Sequence, residues 1–276
     1  MNPRRLHDAE VILLQRLAAA ERVFCFLDYD GTLSPLAPTP DSAAPLAGTA
    51  ALLRELAALP GFAVALVTGR MIADLRRLLD VPGIYYVGIH GLEIGLPNGT
   101  VELSESVAVM RTVLPAIRRQ LEQALANRPG VLIEDKGLAL ACHYRLASRA
   151  DGAITRDAVT AIAQEYRRRG ARISLMHGHE VIEIRSAFAN KGKTVYRLLA
   201  TYSPSALAVY MGDDRTDEDA FKLLPPKSVT IRVGPALVPT AARYRVEGPG
   251  EVLQFLRAIL ACRRSWRPSA AEAPGG

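Results

Sequence analysis

Residues 23–32 read Val23-Phe24-Cys25-Phe26-Leu27-Asp28-Tyr29-Asp30-Gly31-Thr32. The first five are apolar, the pattern of a strand buried on both faces of a parallel sheet. Asp28 and Asp30 then emerge at its carboxyl end, where open α/β sheets bind their ligands. Gly31 lets the backbone turn away sharply. Two carboxylates held this close repel each other unless a cation compensates them. On these ten residues alone two readings stay open, a cation-dependent site and an ordinary Asp-rich turn.

Outward from this strand the chain alternates. Upstream, residues 6–20 predict a helix. Downstream, residues 45–59 predict another, with Leu46, Leu52, Leu53 and Leu56 near helical spacing and Pro60-Gly61 as its stop. Residues 62–67 form a second apolar run ending at Thr68-Gly69-Arg70, and residues 85–89 a third ending at His90-Gly91. Strands alternating with helices at this spacing indicate βαβ units and a parallel sheet. From Leu92 the pattern changes. It predicts a hairpin with a type I′ turn at Asn98-Gly99, a helix over 106–128 bent or started late by Pro115, and a hairpin around Lys136-Gly137. A helix over 151–169 and a hairpin around Gly178 follow. After Asn190 the βα rhythm returns, with a strand over 208–211 leading to Gly212-Asp213-Asp214.

The fold expected is therefore α/β. A Rossmann-like core with a parallel sheet is built from residues 1–103 and 186–264. An α+β cap (αββαββ) is inserted at 104–185. A Pro-, Ala- and Gly-rich tail, 265–276, is expected to be disordered.

Composition narrows the function classes. The 276 residues carry a net charge of +6, with 29 Arg against 5 Lys. That charge suits an anionic substrate or simply solubility. Arg167-Arg168-Arg169 ends a predicted helix and has no interleaved aromatics, so nucleic-acid binding is not expected. Cys25, Cys142 and Cys262 form no CxxC or zinc spacing, as for reduced thiols of a cytoplasmic protein. No apolar run is long enough to span a bilayer, and no signal peptide is read at the N-terminus.

Four chemical groups fall at the ends of four predicted strands or at the start of the helix after the insert: Asp28 with Asp30, Thr68, Lys191, and Asp213 with Asp214. In an open sheet these positions converge on one crevice. An all-oxygen cluster of this kind suits Mg²⁺. A carboxylate there can attack phosphorus, and a second can serve as general acid and base. Thr68 and Lys191 can hold the phosphoryl oxygens. Each also has an ordinary alternative: Lys191 as a solvated helix-start lysine, Thr68 as an N-cap, and the acidic run 213–219 as a dipole-favoured helix start. Their joint order along the chain favours the site.

DxDGT at 28–32, TGR at 68–70, a Lys ahead of a helix at 191 and GDDxTDEDAF at 212–221 resemble the four motifs of the haloacid dehalogenase (HAD) phosphatases. The last motif and the αββαββ insert, a type C2B cap, are similar to the trehalose-6-phosphate phosphatase family. Gly88-Ile89-His90-Gly91-Leu92-Glu93, Glu134-Asp135-Lys136-Gly137 followed by His143-Tyr144-Arg145, and Gly178 to Arg185 match further family segments. His179 stands where the family usually has Lys, and Ser186 where it usually has Pro.

The resemblance implies a Mg²⁺-dependent phosphoric monoester hydrolase. It would cleave trehalose 6-phosphate to trehalose and phosphate through an aspartyl-phosphate. Asp28, Asp30, Thr68 and Lys191 would be catalytic, and Asp28, Asp30, Asp213 and Asp214 would hold the metal. Arg70, His90, Gly91, Glu134, Lys136, Arg145, His179 and Glu183 would bind substrate. A functional link to a trehalose-6-phosphate synthase is also implied. The rival expectations are a phosphatase for sucrose phosphate or glucosylglycerol phosphate, and a non-catalytic sugar-phosphate sensor.

Overall fold

The structure is a computed structural model that describes residues 3–37, 42–236 and 238–265. In chain order its elements are β1 (Arg4–Arg5), α1 (Glu10–Ala19), β2 (Val23–Asp28), α2 (Thr49–Ala57), β3 (Phe62–Val67), α3 (Ile72–Leu78), β4 (Tyr85–Gly88), β5 (Glu93–Gly95) and β6 (Val101–Leu103). These are followed by α4 (Ser106–Ala124), β7 (Leu132–Asp135), β8 (Ala139–His143), α5 (Arg149–Arg168), β9 (Ile173–Gly178) and β10 (Val181–Ser186). The chain ends with α6 (Lys191–Tyr202), β11 (Leu207–Gly212), α7 (Glu218–Leu223), β12 (Val229–Val233), β13 (Tyr244–Val246) and α8 (Pro249–Ser265).

The chain divides into two compact units, one of residues 1–102 with 190–276 and one of residues 103–189. In the first, nine strands run in the order β1-β13-β12-β11-β2-β3-β4-β5-β6. Neighbours from β1 to β4 pair parallel, and β4 with β5 antiparallel. The strand that opens the sequence argument, β2, is central and every residue of it is buried. Its side chains alternate between two cores. Val23, Cys25 and Leu27 pack with α1, α2 and α8 residues such as Leu17, Leu53 and Phe255. Phe24 and Phe26 stack at 4.1 Å and join Leu198 of α6 and Phe221 of α7. Helices therefore cover both faces, which is why β2 tolerates no polar residue before Asp28. Each such buried side chain stabilises the fold by about 1.5–3 kcal/mol.

In the second unit four strands run in the order β7-β8-β10-β9, all antiparallel. Helices α4 and α5 pack on this sheet. Leu140, Cys142, Ile182 and Ile184 are wholly buried, while the alternate positions carry Glu134, His143, Glu183 and Arg185.

The fold class read from the sequence is the one observed, with local differences. Strands β1 and β13 were not expected. They are two and three residues long, too short to show a period. Pro115 lies inside α4, whose span of Ser106–Ala124 crosses it. The turn at 97–99 is not type I′, which needs positive φ at both central residues. Gly99 takes φ +90° and Asn98 does not take a positive φ; Pro97 ahead of it holds φ near −65°. The third hairpin turns at His179-Glu180, with Glu180 at φ +57°, because β9 runs on through Gly178. Ser265 closes α8, and the rest of the expected tail lies outside the described residues. Among the described residues no helix is long and apolar enough to cross a membrane.

Candidate active site

Strand register sets the site. Asp28 pairs with Val67 of β3, and Leu27 with Met211 of β11. Asp28, Thr68 and Asp213 therefore leave the sheet at nearly the same level. Gly31, at φ +73°, lies directly against Asp213: a Cβ there would stand 2.1 Å from Asp213 Oδ2. Only glycine satisfies both that conformation and that approach.

Lys191 is the first residue of α6 and is 3% exposed. The Asn190 side chain caps the helix by accepting from Lys193 N–H at 2.8 Å and donates to Asp219 Oδ2 at 2.9 Å. These bonds fix the helix start, which aims the ammonium inward. Lys191 Nζ donates to Asp28 Oδ1 at 2.7 Å and to Asp217 Oδ1 at 2.8 Å. Asp217 also accepts from Tyr210 Oη at 2.7 Å and, through Oδ2, from Asp214 N–H at 2.9 Å. Gly212 makes room for it, since a Cβ there would stand 2.3 Å from Asp217 Cγ.

Asp28, Asp213 and Asp217 each place an oxygen within 4.8 Å of the others. Three carboxylates against one ammonium leave an excess of negative charge, which adds to the upward shifts of Asp28, Asp213 and Tyr210. Burial and then Asp217 raise the Asp28 carboxyl, against the pull of Lys191. Burial chiefly pushes Asp213 up to about 6. Burial alone would lower Lys191, but Asp217 and Asp28 outweigh it and hold the ammonium charged. Burial and Asp217 raise the Tyr210 phenol well above its usual range, so it stays a donor.

This donor set fits a hard divalent cation: all oxygen, two negative charges in excess, and Asp28 beside Asp213. Asp217 is the less available ligand, because three donors already occupy its oxygens.

The raised Asp213 pKa gives a stability prediction. The folded state binds its proton more tightly than the unfolded chain, so this stabilisation is complete below about pH 4 and lost as pH rises through about 6. In EDTA, the melting temperature relative to Asp213→Asn should fall between those pH values. A flat difference would show that Asp213 is not raised.

Asp30 is held differently. Arg70 donates to both its oxygens, Nε to Oδ2 at 2.8 Å and Nη2 to Oδ1 at 2.6 Å. The guanidinium also lies 5.6 Å from the Tyr29 ring centre. Tyr29 is anchored by its hydroxyl to the Ala43 carbonyl at 2.6 Å. Thr68 is buried and its Oγ1 accepts from Arg70 N–H at 3.1 Å. The His90 ring packs on Gly69, and Thr194 Oγ1 reaches the Gly91 carbonyl at 3.5 Å.

In the second unit, Lys136 Nζ donates to Glu183 Oε2 at 2.9 Å, and His143 Nε2 lies 2.9 Å from Glu134 Oε2. Glu183 is buried although it sits on a hairpin. His179 is at the hairpin tip, 81% exposed, with Arg145 Nη2 3.2 Å from its Nδ1.

The structure brings together Asp28, Lys191 and Asp213; of the other two residues expected at the metal, Asp30 is paired with Arg70 and Asp214 lies at the turn that follows. Asp214 is exposed, and its carboxylate caps the short turn 215–217 and accepts from Thr216 Oγ1 at 3.2 Å. It is not in the carboxylate cluster; Asp217 is. Sequence reading did not single out Asp217, Tyr210 or Asn190. Asp217 was visible only as one acid in a run of five within seven residues. A three-residue step from Asp214 in a tight turn is the signal that would have turned it inward.

Comparison with known proteins places these residues in context. The family model described as trehalose-phosphatase matches residues 26–249. A trehalose-phosphate phosphatase of Mycobacterium marinum is 39% identical over 243 residues, covering 83% of this chain and 59% of the relative. The chain thus spans about three fifths of the length of that relative. Probable trehalose-phosphate phosphatase D of Arabidopsis thaliana is 31% identical, covering 92% of this chain and 72% of the relative. Among solved structures, Aspergillus fumigatus trehalose-6-phosphate phosphatase superposes with a TM-score of 0.74 at 27% identity, covering 94% of this chain and 99% of that one.

Proposed function

The chain belongs to the trehalose-phosphatase family, and from that premise we propose that it hydrolyses trehalose 6-phosphate to trehalose and phosphate with Mg²⁺ as cofactor. The observation that carries this reading is the buried Asp28–Lys191–Asp217 network beside Asp213, with Asp30 two residues from the nucleophile.

Asp28 attacks phosphorus and forms an aspartyl-phosphate as the P–O bond to the sugar breaks. Asp30 delivers its proton to the departing sugar oxygen, then takes one from the water that cleaves the intermediate. Asp30 accepts two bonds from Arg70 in the free protein. Arg70 occupies both Asp30 oxygens, so that pair must open before Asp30 meets the departing sugar oxygen, and the substrate phosphoryl group is an alternative partner for Arg70. Lys191 and Thr68 hold phosphoryl oxygens. Asp28 and Asp213, with the Asp30 carbonyl, would hold Mg²⁺, which supplies charge neutralisation at the transferring group.

Glu134, Lys136 and Glu183, with Arg145 and His179, are the proposed contacts to sugar hydroxyls, where directed polar bonds give selectivity. Arg70, His90 and Gly91 are the proposed contacts from the first unit. A cytoplasmic location and a functional link to a trehalose-6-phosphate synthase belong to the same reading.

The test is phosphate release from trehalose 6-phosphate, sucrose 6-phosphate, glucosylglycerol phosphate and glucose 6-phosphate, each with Mg²⁺ and with EDTA. Trehalose 6-phosphate should give the highest kcat/KM, and EDTA should abolish release. Preference for another glycosyl phosphate would overturn the substrate assignment. Absence of release from all four would overturn the enzymatic one.

A further inference from the structure

Glu93 of β5 is 6% exposed and stands outside the carboxylate cluster around Asp28. Its Oε2 accepts from the Ile72 N–H at 2.8 Å, a buried bond between residues 21 apart in the chain. Ile72 opens α3, and Met71 before it makes no side-chain cap. Ser, Thr, Asp or Asn at position 71 would cap that end locally. Here the acceptor comes instead from the next strand pair, where Glu93 faces Gly88 of β4 in register. Gly88 leaves the space, since a Cβ there would stand 2.9 Å from Glu93 Oε2 and 3.0 Å from the Ile72 nitrogen.

The same stretch holds the loop that starts at Thr68. Thr68 N–H donates to the Val87 carbonyl at 2.8 Å, His90 N–H to the Thr68 carbonyl at 3.0 Å, and Ile89 N–H to the Arg70 carbonyl at 2.8 Å. With the Glu93 bond, every second residue from Thr68 to Ile72 is tied to residues 87–93. In making these bonds the chain holds Ile89 at φ +48° and His90 at φ +52°. Non-glycine residues are uncommon in the left-handed region, and a β-branched one is an outlier there. Such conformations disfavour the folded state, persist only where the surroundings fix them, and concentrate at functional sites. Thr68 and Arg70, the residues so held, are the ones proposed to meet the phosphoryl group.

We propose that Glu93 is a positioning residue: by fixing Ile72 it secures the far end of this loop and keeps Thr68 and Arg70 in place for the phosphoryl group. This rests on the reading of those two residues as phosphoryl contacts. Without the carboxyl, the buried Ile72 N–H loses its acceptor, and an unpaired buried donor is costly. The loop then gains by shifting toward water, and Thr68 and Arg70 shift with it. A misplacement on the order of 1 Å is enough to cost about 100-fold in rate.

The experiment compares the wild type with Glu93→Gln, which keeps an acceptor of the same reach, and Glu93→Leu, which keeps bulk without an acceptor. Tyr86→Phe is the control, because it removes the hydroxyl that accepts from Val81 N–H at 2.7 Å, beyond the other end of α3. Assays run with Mg²⁺, well below each melting temperature. In Glu93→Leu the KM for trehalose 6-phosphate and the inhibition constant of inorganic phosphate should rise in parallel, each about 10–100-fold. Glu93→Gln should stay close to the wild type in both. Tyr86→Phe should lower the melting temperature and leave both constants unchanged.

A fall in melting temperature in Glu93→Leu with both constants unchanged would overturn the proposal, because Glu93 would then only support the fold. A like rise in Tyr86→Phe would overturn it too, since the constants would then follow the stability of this region. So would a like rise in Glu93→Gln, whose acceptor is intact. Should Glu93→Leu not fold, Glu93→Asp, one methylene short of Ile72, carries the same test with the same outcomes. If the wild type releases no phosphate from sugar phosphates, the enzymatic reading fails by itself, and calorimetric titration with inorganic phosphate tests Glu93. Equal phosphate affinity in the wild type and Glu93→Leu would then sink the proposal.

Discussion

Asp28→Asn is expected to lower phosphate release from trehalose 6-phosphate by about 10⁴-fold or more while leaving the protein folded. The carboxylate is the only group proposed to bond to phosphorus, and an amide cannot replace it as nucleophile. The structure separates this loss from unfolding. Asp28 is buried in a cluster whose carboxylates outnumber its one ammonium, and its carboxyl is raised by burial and by Asp217 and Asp213. Asparagine removes one of the repelling charges and can still accept from Lys191. In EDTA at neutral pH, the melting temperature of the variant should match or exceed that of the wild type. Phosphate release and thermal denaturation on the same preparation make the check. Residual activity above about one hundredth of wild type, well above what loss of a nucleophile leaves, would mean that another group attacks phosphorus.

The same cluster shows how far a sequence can be read. Asp28 was legible because five apolar residues deliver it to a strand end, and a strand end in a parallel sheet is a known place for chemistry. Lys191 and Thr68 were legible from the same rhythm. Asp217 was not, since nothing in Asp213-Asp214-Arg215-Thr216-Asp217 says which acids point inward. That is decided by the tight turn that makes Asp214 a cap and rotates Asp217 beneath Lys191. Tyr210 was hidden for a different reason. In an apolar strand a tyrosine reads as core, and its hydroxyl matters only because Asp217 returns to meet it at 2.7 Å.

In the second unit the hairpins were legible from alternation and turn residues. The burial of Glu183 was not, because alternation alone places a hairpin carboxylate outward. Its burial accompanies an ion pair with Lys136 that joins residues far apart in the chain. Arg185 Nε and Nη1, buried without a hydrogen-bond partner among the described residues, are equally invisible in sequence, since a missing partner has no residue to announce it.

Lys191→Met should produce the largest loss of stability. Methionine fills much the same space, so the change isolates the charge. It leaves Asp28, Asp213 and Asp217 in the interior with no ammonium among them, and breaking a buried pair in this way costs about 3–5 kcal/mol. The sign with pH follows from linkage. Without Lys191 the Asp28 and Asp213 carboxyls, already raised, are raised further, so the folded variant holds protons that the unfolded chain releases. Its deficit relative to wild type should therefore be small below about pH 4, the ordinary carboxyl range, where these acids are protonated in both states. It should grow as pH rises toward neutrality. Denaturant titrations in EDTA at pH 4 and at pH 7.5 would measure it, and an equal deficit at both would show that Lys191 acts by packing. Lys191→Arg should not restore stability at pH 7.5, because the two carboxylate oxygens at 2.7 and 2.8 Å converge on a single ammonium. A planar fork is bulkier and spreads its donors over several atoms. Added Mg²⁺ should then stabilise the methionine variant through the carboxylates that the ammonium no longer balances, provided that the protein still folds around them. Activity should remain low even so, because a cation at Asp28 and Asp213 does not replace the donor that Lys191 is proposed to present to the phosphoryl group.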